Sequence, residues 1–262
     1  MRRGSLDPRH LVLATLALLA SAASASAQGH ETGFLDRSIT FQGLTRRYQV
    51  YLPLDYTADR RWPVVLFLHG AGERGSDGLR PTATGLAQAI RANRERFPAL
   101  VVFPQVAHPD SFWAGADEAM ALAVLDAVMA EFGGDPDRVY LTGVSMGGFG
   151  TWRTAAEHPD RFAALVPIAA GRLDPPPVGS PNPSADPYGD VARRVRHVPT
   201  WVFHGERDTL SVRDARAYVE ALRRAGGDVR YTEYAGGGHD AWIQAYADLT
   251  LWEWLFAQKR HR

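Results

Sequence analysis

The sequence has no cysteine among its 262 residues and only one lysine, Lys259. Without cysteine the chain can form no disulfide, thiolate metal site or cysteine nucleophile, so any nucleophile must be an oxygen or a nitrogen. The single lysine excludes a phosphate-binding P-loop, because that motif needs a lysine directly after its glycines.

An excess of charge of one sign is also missing. Acidic and basic residues number 29 each, and the arginines are scattered among the acids. No basic stripe of the kind that binds nucleic acid is visible, so no nucleic-acid partner is predicted. No H-E-x-x-H pattern occurs, and 135–137 is interpreted as a turn between a helix and a strand, so no metal or other cofactor is predicted. No protein partner is evident from the sequence.

Long apolar runs are rare, and the clearest one lies near the start of the chain. Arg2, Arg3 and Arg9 precede the apolar run 11–20, and small residues follow up to Ala25-Ser26-Ala27. This arrangement is typical of a cleaved signal peptide, and the run is shorter than the roughly 20 residues that span a bilayer. We expect a signal peptide at 1–27, no permanent membrane anchor, a secreted or periplasmic protein, and one catalytic domain at 28–262. The choice between Sec and twin-arginine export stays open.

Apolar strand patterns alternate with helical ones along the rest of the chain. This alternation predicts an α/β fold with a mostly parallel central sheet, an antiparallel N-terminal edge and helices on both faces. The proline-rich segment 174–190 is expected to be a loop, and the rim of a substrate site is favoured over a plain surface excursion. The predicted strands are 38–44, 46–54, 63–69, 100–103, 138–142, 163–169, 199–204 and 229–234, and the predicted helices are 85–96, 114–132, 147–157, 213–225 and 241–258.

A glycine-rich turn follows the predicted strand 138–142. Gly143, Ser145 and Gly147 form a G-x-S-x-G pattern, in which a tight turn between a strand and a helix presents a serine hydroxyl above the sheet. The pattern alone is weak, because glycine-rich turns are common. Its position after an apolar strand and before a helix favours Ser145 as a nucleophile.

A serine nucleophile needs a base, and in this architecture the base follows the serine in the chain. His197, His204, His239 and His261 all follow Ser145. His204 ends a predicted strand, a position typical of a structural histidine, and His261 is terminal. His239, between the last predicted strand and the last helix, is the predicted base.

The acid that orients the base is expected between the serine and the histidine, after a strand end. Asp208 fits this position. Glu206 is an alternative that could instead pair with Arg207, and Asp214 is an alternative at a helix start, where a carboxylate interacts with the helix dipole.

Donors to an oxyanion are expected from two backbone N–H groups. One belongs to Met146, and the other is assigned to Ala71 in the loop 69–75. The glycines of this loop also match G-x-G-x-x-G, but Gly75 leads into a polar, broken stretch instead of a helix, which argues against a dinucleotide site.

Three further residues are predicted to bind substrate because they follow strands or lie next to the predicted base. They are Gln105, Trp113 and Trp242.

Several motifs resemble those of a known family: HGAGERG at 69–75, the Pro-Gln pair at 104–105, GVSMGGFGTW at 143–152, HGERD at 204–208 and GGGHDAW at 236–242. They are similar to secreted α/β-hydrolase carboxylesterases related to feruloyl, acetylxylan and polyhydroxybutyrate esterases, a group that also includes predicted peptidases. The resemblance implies Ser145, Asp208 and His239 as a catalytic triad, with Ala71 and Met146 as oxyanion donors. Many secreted relatives carry disulfides, which this chain cannot form.

The resulting expectation is a secreted serine esterase that acts on short acyl or hydroxycinnamoyl esters, either small molecules or esters linked to polysaccharide. A serine peptidase acting on short peptides is the enzymatic alternative. A non-catalytic binding protein on the same scaffold is the alternative from another class.

Overall fold

One sheet of eight strands runs through the computed structural model, which describes residues 31–178 and 185–260. The predicted signal peptide 1–27 lies outside the described residues. The strands are β1 (Gly33–Phe41), β2 (Leu44–Leu52), β3 (Trp62–Leu68), β4 (Leu100–Phe103), β5 (Gly134–Val144), β6 (Ala164–Ile168), β7 (Thr200–Gly205) and β8 (Val229–Tyr234).

Seven α-helices are found in the described part of the chain. They are α1 (Leu86–Ala92), α2 (Ala116–Phe132), α3 (Met146–Glu157), α4 (Pro187–Val195), α5 (Val212–Arg224), α6 (Trp242–Ala247) and α7 (Leu249–Ala257). Short 3-10 turns occur at Ala71–Glu73, Arg80–Thr82 and Arg94–Arg96.

The sheet has the order β1-β2-β4-β3-β5-β6-β7-β8. Strands β1 and β2 form a hairpin whose turn, Gln42-Gly43, has φ angles of 49° and 77°, the left-handed region that suits a two-residue hairpin loop. Strand β2 is antiparallel to both of its neighbours, and the remaining adjacent pairs are parallel. The mostly parallel sheet with an antiparallel N-terminal edge is therefore confirmed.

Apolar side chains on both faces of the sheet bind the helices to it. In β3 the side chains of Val64, Leu66 and Leu68 belong to one core cluster, which also contains residues of α2, α3, α4 and α5. Val65 and Phe67 point to the opposite face, where α1, α6 and α7 pack. Because the strand is buried on both faces, it is apolar throughout instead of alternating with polar residues.

Several boundaries differ from the sequence prediction, among them those of the closing helix and of the proline-rich loop. The closing helix predicted at 241–258 is two helices, because Asp248 has an extended backbone and its side chain accepts a hydrogen bond from Thr250 N. The predicted loop 174–190 ends earlier than expected, since α4 begins at Pro187. Proline is well accommodated in the first helical turn, where its missing N–H needs no partner, and Asp186 caps this helix.

The segment 135–137 is part of β5 and not a turn before it. Trp62 pairs with Gly134 and Val64 pairs with Val139, so the intervening residues of β5 bulge out of the ladder. Asp137 N donates to Asp135 Oδ1 within this bulge, a local bond typical of turns.

None of the helices in residues 31–178 and 185–260 combines the length and the apolarity needed to cross a membrane.

Candidate active site

Ser145 lies on a sharp turn between β5 and α3, with a φ of 53° that is unusual for a residue with a side chain. The neighbouring glycines make this turn possible. A Cβ atom on Gly147 would overlap the carbonyl oxygen of Leu68 in β3, and one on Gly143 would overlap the carbonyl oxygen of Gly147. Ser145 N donates to Ile168 O of β6 at 3.0 Å. The turn is therefore held in place by close contacts with β3 and β6, and the Ser145 side chain projects away from these strands.

A chain of hydrogen bonds joins three of the predicted residues. Ser145 Oγ lies 2.8 Å from His239 Nε2, and His239 Nδ1 lies 2.8 Å from Asp208 Oδ1. The carboxylate can only accept, so Nδ1 carries the proton and Nε2 is left to accept from the serine hydroxyl. The Asp208 side chain is fully buried, while that of His239 is 34% exposed. This arrangement is able to take a proton from Ser145.

Parallel topology explains why residues distant in sequence meet here. Ser145 follows β5, Asp208 follows β7 and His239 follows β8. These strands are parallel, so their carboxyl ends share one edge of the sheet.

The alternative acids make other contacts. Glu206 accepts from Gly236 N at 2.7 Å and so holds the loop that carries the base. Asp214 accepts from the Tyr188 hydroxyl and from Arg172 N. Both carboxylates thus stabilise neighbouring loops.

Among the alternative bases, His204 is buried at the end of β7 with its Nε2 3.3 Å from Asp208 Oδ2. His197 is exposed, and its Nε2 lies 3.1 Å from Pro159 O. His261 lies outside the described residues. Neither His204 nor His197 is hydrogen-bonded to Ser145.

The loop predicted to supply an oxyanion donor is fixed by His69, which is fully buried. Its Nδ1 lies 2.6 Å from Gly70 O, and its Nε2 accepts from Val106 N at 3.0 Å. Burial lowers the pKa of His69 to about 4, so the ring is neutral with its proton on Nδ1. In a trans peptide the C=O and the N–H point in opposite directions. Gly70 O and Ala71 N belong to the same peptide group. Because His69 Nδ1–H is hydrogen-bonded to Gly70 O, the N–H of Ala71 points away from His69.

This loop runs beside the serine. A Cβ on Gly70 would lie 3.7 Å from the Cβ of Ser145, and Ala71 lines the same cavity as Ser145 and Met146. Met146 is the first residue of α3, where a backbone N–H has no acceptor within the helix. Two backbone donors thus belong to the segments that surround the serine hydroxyl.

The three residues predicted to bind substrate have different environments. Gln105 is buried, and its amide accepts from Gly78 N at 2.6 Å and donates to Glu73 O at 2.9 Å. It is absent from the cavity lining, so its contacts assign it to holding the 69–78 loop. Trp113 lines the cavity, and its Nε1 donates to His69 O at 2.9 Å. Trp242 packs edge-on against the His239 ring, with centroids 5.4 Å apart.

A cavity of about 540 Å³ opens from Ser145 along one side of α3. Ser145 and the α3 residues Met146, Phe149, Gly150 and Arg153 line it as one continuous stripe at helical spacing. At 1.5 Å per residue the stripe is about 12 Å long. We call this cavity the α3 groove. Its other walls are Ala71, Ser111–Ala114, Asp117, Arg172–Pro175 and Leu210.

Arg153 closes the far end of the α3 groove. Its guanidinium donates to the carbonyl oxygens of Pro175 and Pro176, and it pairs with Glu157 at 3.3 Å. Glu157 in turn accepts from Val178 N at 3.1 Å. The first residues of the proline-rich segment are thereby fixed to α3 as a wall of the groove.

Several groove residues were not predicted from the sequence. Phe149 is one helical turn beyond the serine, a spacing that could have indicated it. Phe112, which is 61% exposed and lies beneath the Arg74 guanidinium at 5.1 Å, directly precedes Trp113. No local sequence pattern indicated that Leu210 lines the groove.

No group of three or more histidine, aspartate or glutamate side chains within the described ranges could hold a metal ion.

Comparison with known proteins shows clear relatives. A family model described as "Putative esterase" matches residues 42–258. "Putative esterase NocK" of Nocardia uniformis subsp. tsuyamanensis is 32% identical over 222 residues, which are 76% of this chain and 62% of that protein. Feruloyl esterase B of Thermothelomyces thermophilus is 27% identical over 246 residues, covering 80% of this chain and 81% of the relative.

Solved structures share the fold. A thermostable esterase superimposes with a TM-score of 0.75 at 32% identity, covering 87% of this chain and 63% of the other. The feruloyl esterase module of Clostridium thermocellum gives a TM-score of 0.67 at 16% identity, covering 87% and 89%. The chain spans about three fifths of the length of NocK and of the thermostable esterase. The α/β-hydrolase architecture implied by the sequence resemblance is confirmed.

Proposed function

The chain belongs to the esterase family, and on this premise we propose that it hydrolyses carboxylic esters through an acyl-enzyme formed on Ser145. The observation that carries the proposal is the hydrogen-bonded chain from Ser145 Oγ through His239 to Asp208, with both distances at 2.8 Å. A serine hydroxyl becomes nucleophilic at neutral pH only with such a base beside it.

In the acylation step, Ser145 Oγ attacks the ester carbonyl carbon while its proton passes to His239 Nε2. The carbonyl π electrons move onto oxygen, and the N–H groups of Ala71 and Met146 would donate to this oxyanion. Asp208 stabilises the imidazolium that forms and keeps its tautomer. Collapse of the tetrahedral intermediate breaks the C–O bond to the alcohol, which leaves with the proton from Nε2.

Deacylation repeats these steps with water. A water molecule gives a proton to His239 Nε2 and attacks the acyl carbon, and the same two backbone N–H groups receive the new oxyanion. The bond to Ser145 Oγ then breaks, and the serine recovers its proton from the imidazolium. The products are a carboxylic acid and the free enzyme.

The α3 groove favours an extended acyl group over acetyl. It is about 12 Å long, its volume is about 540 Å³, and Phe149, Leu173 and Leu210 give it apolar walls. An acetyl group would leave most of this surface unburied, whereas a hydroxycinnamoyl group would cover it and bring its polar end towards Arg153 and Arg172. Feruloyl esterases are among the relatives, so we propose hydroxycinnamoyl esters, free or linked to plant polysaccharide, as substrates.

We also propose that the protein acts outside the cytoplasm. The support is the leader-like composition of residues 1–27, with arginines before an apolar run and an A-x-A pattern after it. The catalytic unit would then be the single domain 28–262. Sequencing the N-terminus of the protein recovered from its natural host would test this, and an intact Met1 would contradict it.

The activity is tested by steady-state hydrolysis of methyl ferulate, 4-nitrophenyl acetate, acetylated xylan and aminoacyl anilides. We expect the highest kcat/KM on methyl ferulate, and loss of nearly all hydrolysis in Ser145→Ala. The matched control Ser38→Ala removes an exposed hydroxyl on β1 and should keep full activity. Equal activity in Ser145→Ala and wild type would contradict the mechanism. Faster turnover of the anilides than of every ester would instead favour a peptidase.

A further inference from the structure

The Asp208 carboxylate is fully buried and has contacts besides its bond to His239. Its side chain has no exposed surface. Oδ1 accepts from Leu210 N at 2.8 Å as well as contacting His239 Nδ1. Oδ2 faces away from His239, and no hydrogen bond to it is found within the described residues. A buried carboxylate oxygen without donors is costly, so the group that lies next to Oδ2 matters.

That group is a second imidazole. His204, the fifth residue of β7, is fully buried, and its Nε2 lies 3.3 Å from Asp208 Oδ2 and 3.2 Å from Leu210 O. Its Nδ1 has no hydrogen-bond partner among the described residues. Because both atoms near Nε2 are acceptors, the ring proton belongs on Nε2.

The Nε2 proton of His204 affects Asp208 in two ways. It holds Leu210 O, and Leu210 is the residue whose N–H binds Asp208 Oδ1. His204 thus fixes the turn 208–210 through its contact with Leu210 O. The positive end of the same N–H dipole also faces Oδ2, where it offsets part of the charge that Asp208 presents to His239.

On the basis of the proposed esterase function, we propose that His204 is a positioning residue that holds the Asp208 carboxylate against His239 and moderates its charge. Two imidazoles then share one carboxylate, with His239 on the substrate side and His204 on the core side.

A second charged group lies beside His204 among the residues that the structure describes. Glu233 is its neighbour in register on β8. Glu233 is bound by Arg216 and Tyr231, and the bond from Arg216 is the main cause that lowers the pKa of Glu233 to about 2. Glu233 therefore stays ionised across the pH range of an activity assay. Its effect is the same in wild type and in variants of His204.

The test compares His204→Phe, which keeps the ring shape and loses the N–H, with His204→Gln, whose side-chain amide can replace it. The matched control is His197→Phe, at an exposed histidine outside the site. Initial rates on methyl ferulate are measured against pH, and thermal unfolding is recorded for each variant.

We expect His204→Phe to lower kcat at least about tenfold with little change in KM. The acid limb of kcat/KM should move to higher pH, because an unmoderated Asp208 charge stabilises the His239 imidazolium. His204→Gln should restore the wild-type limb, and His197→Phe should leave it in place. An acid limb that stays fixed or moves to lower pH in His204→Phe would overturn the proposal, whatever the change in melting temperature.

A second measurement covers the case in which His204→Phe does not fold. Nitrogen-15 spectra of the wild-type imidazoles should show His204 protonated at Nε2. A neutral His204 protonated at Nδ1 would overturn the proposal. Wild-type protein that hydrolyses no ester and takes up no fluorophosphonate would instead refute the proposed function, a result distinct from both of these.

Discussion

The buried, neutral His69 should make the folded protein less stable as the pH falls below neutrality. The ring is fully buried between Gly70 O and Val106 N. Its neutral form both donates at Nδ1 and accepts at Nε2. Burial lowers the pKa of His69 from 6.5 to about 4. A second proton, at Nε2, would also face the N–H of Val106.

The sign and size of the effect follow from proton linkage. Between pH 6.5 and 4 the unfolded chain binds more protons at this residue than the folded chain does, so the free energy of unfolding falls as the pH falls through this window. A pKa difference of about 2.5 corresponds to about 3 kcal/mol. Most of this loss, about 2 kcal/mol, lies between pH 7 and pH 5.

The prediction is tested with His69→Asn, which can still donate to Gly70 O but does not titrate. Urea unfolding of both proteins at pH 7 and pH 5 gives the stability difference between them at each pH. Other titrating groups cancel in this comparison. The wild-type advantage should shrink by about 2 kcal/mol at pH 5, and an advantage that stays constant or grows would refute the assigned tautomer and burial.

Two further substitutions test the packing. Gly147→Ala should lose more than about 4 kcal/mol of unfolding free energy, or fail to fold, because its Cβ would overlap Leu68 O; Gly72→Ala, whose Cβ would meet nothing within 4 Å, should change stability by less than about 0.5 kcal/mol. Burial and the adjacent Glu157 raise the pKa of Glu118 from 4.5 to about 7, so the folded state binds more protons between these values and wild type should lose stability as the pH rises from 4.5 to 7. Melting temperatures should show this loss reduced in Glu118→Gln, and parallel pH profiles would contradict it.

The sequence was enough to predict the fold and the hydrogen-bonded arrangement of Ser145, His239 and Asp208, because both depend on the order and the ends of the strands. Ser145, Asp208 and His239 each follow a strand, and parallel strands bring such residues to one edge. The glycines of the G-x-S-x-G pattern were recognisable because the turn requires them: the close approach of β3 leaves no room for a side chain at Gly147.

Of the features that the sequence did not predict, one depends on a local helix cap and the others depend on tertiary contacts. The apolar pattern continues across Asp248, so the break between α6 and α7 is visible only in the cap that this side chain forms with Thr250 N. Gln105 was expected to bind substrate because it follows a strand. Its amide is instead used by two backbone groups of the neighbouring loop. The α3 groove takes its walls from segments far apart in sequence, and no local pattern marks Leu210 as a member.

The central claim is that Ser145 is the nucleophile, and covalent trapping tests it most directly. Folded protein is incubated with a fluorophosphonate, and the modified residue is located by peptide mass spectrometry. We predict one adduct per chain, on Ser145 Oγ, with loss of ester hydrolysis in proportion to labelling and no adduct in Ser145→Ala. An adduct on another serine, or full hydrolysis by Ser145→Ala, would contradict the account.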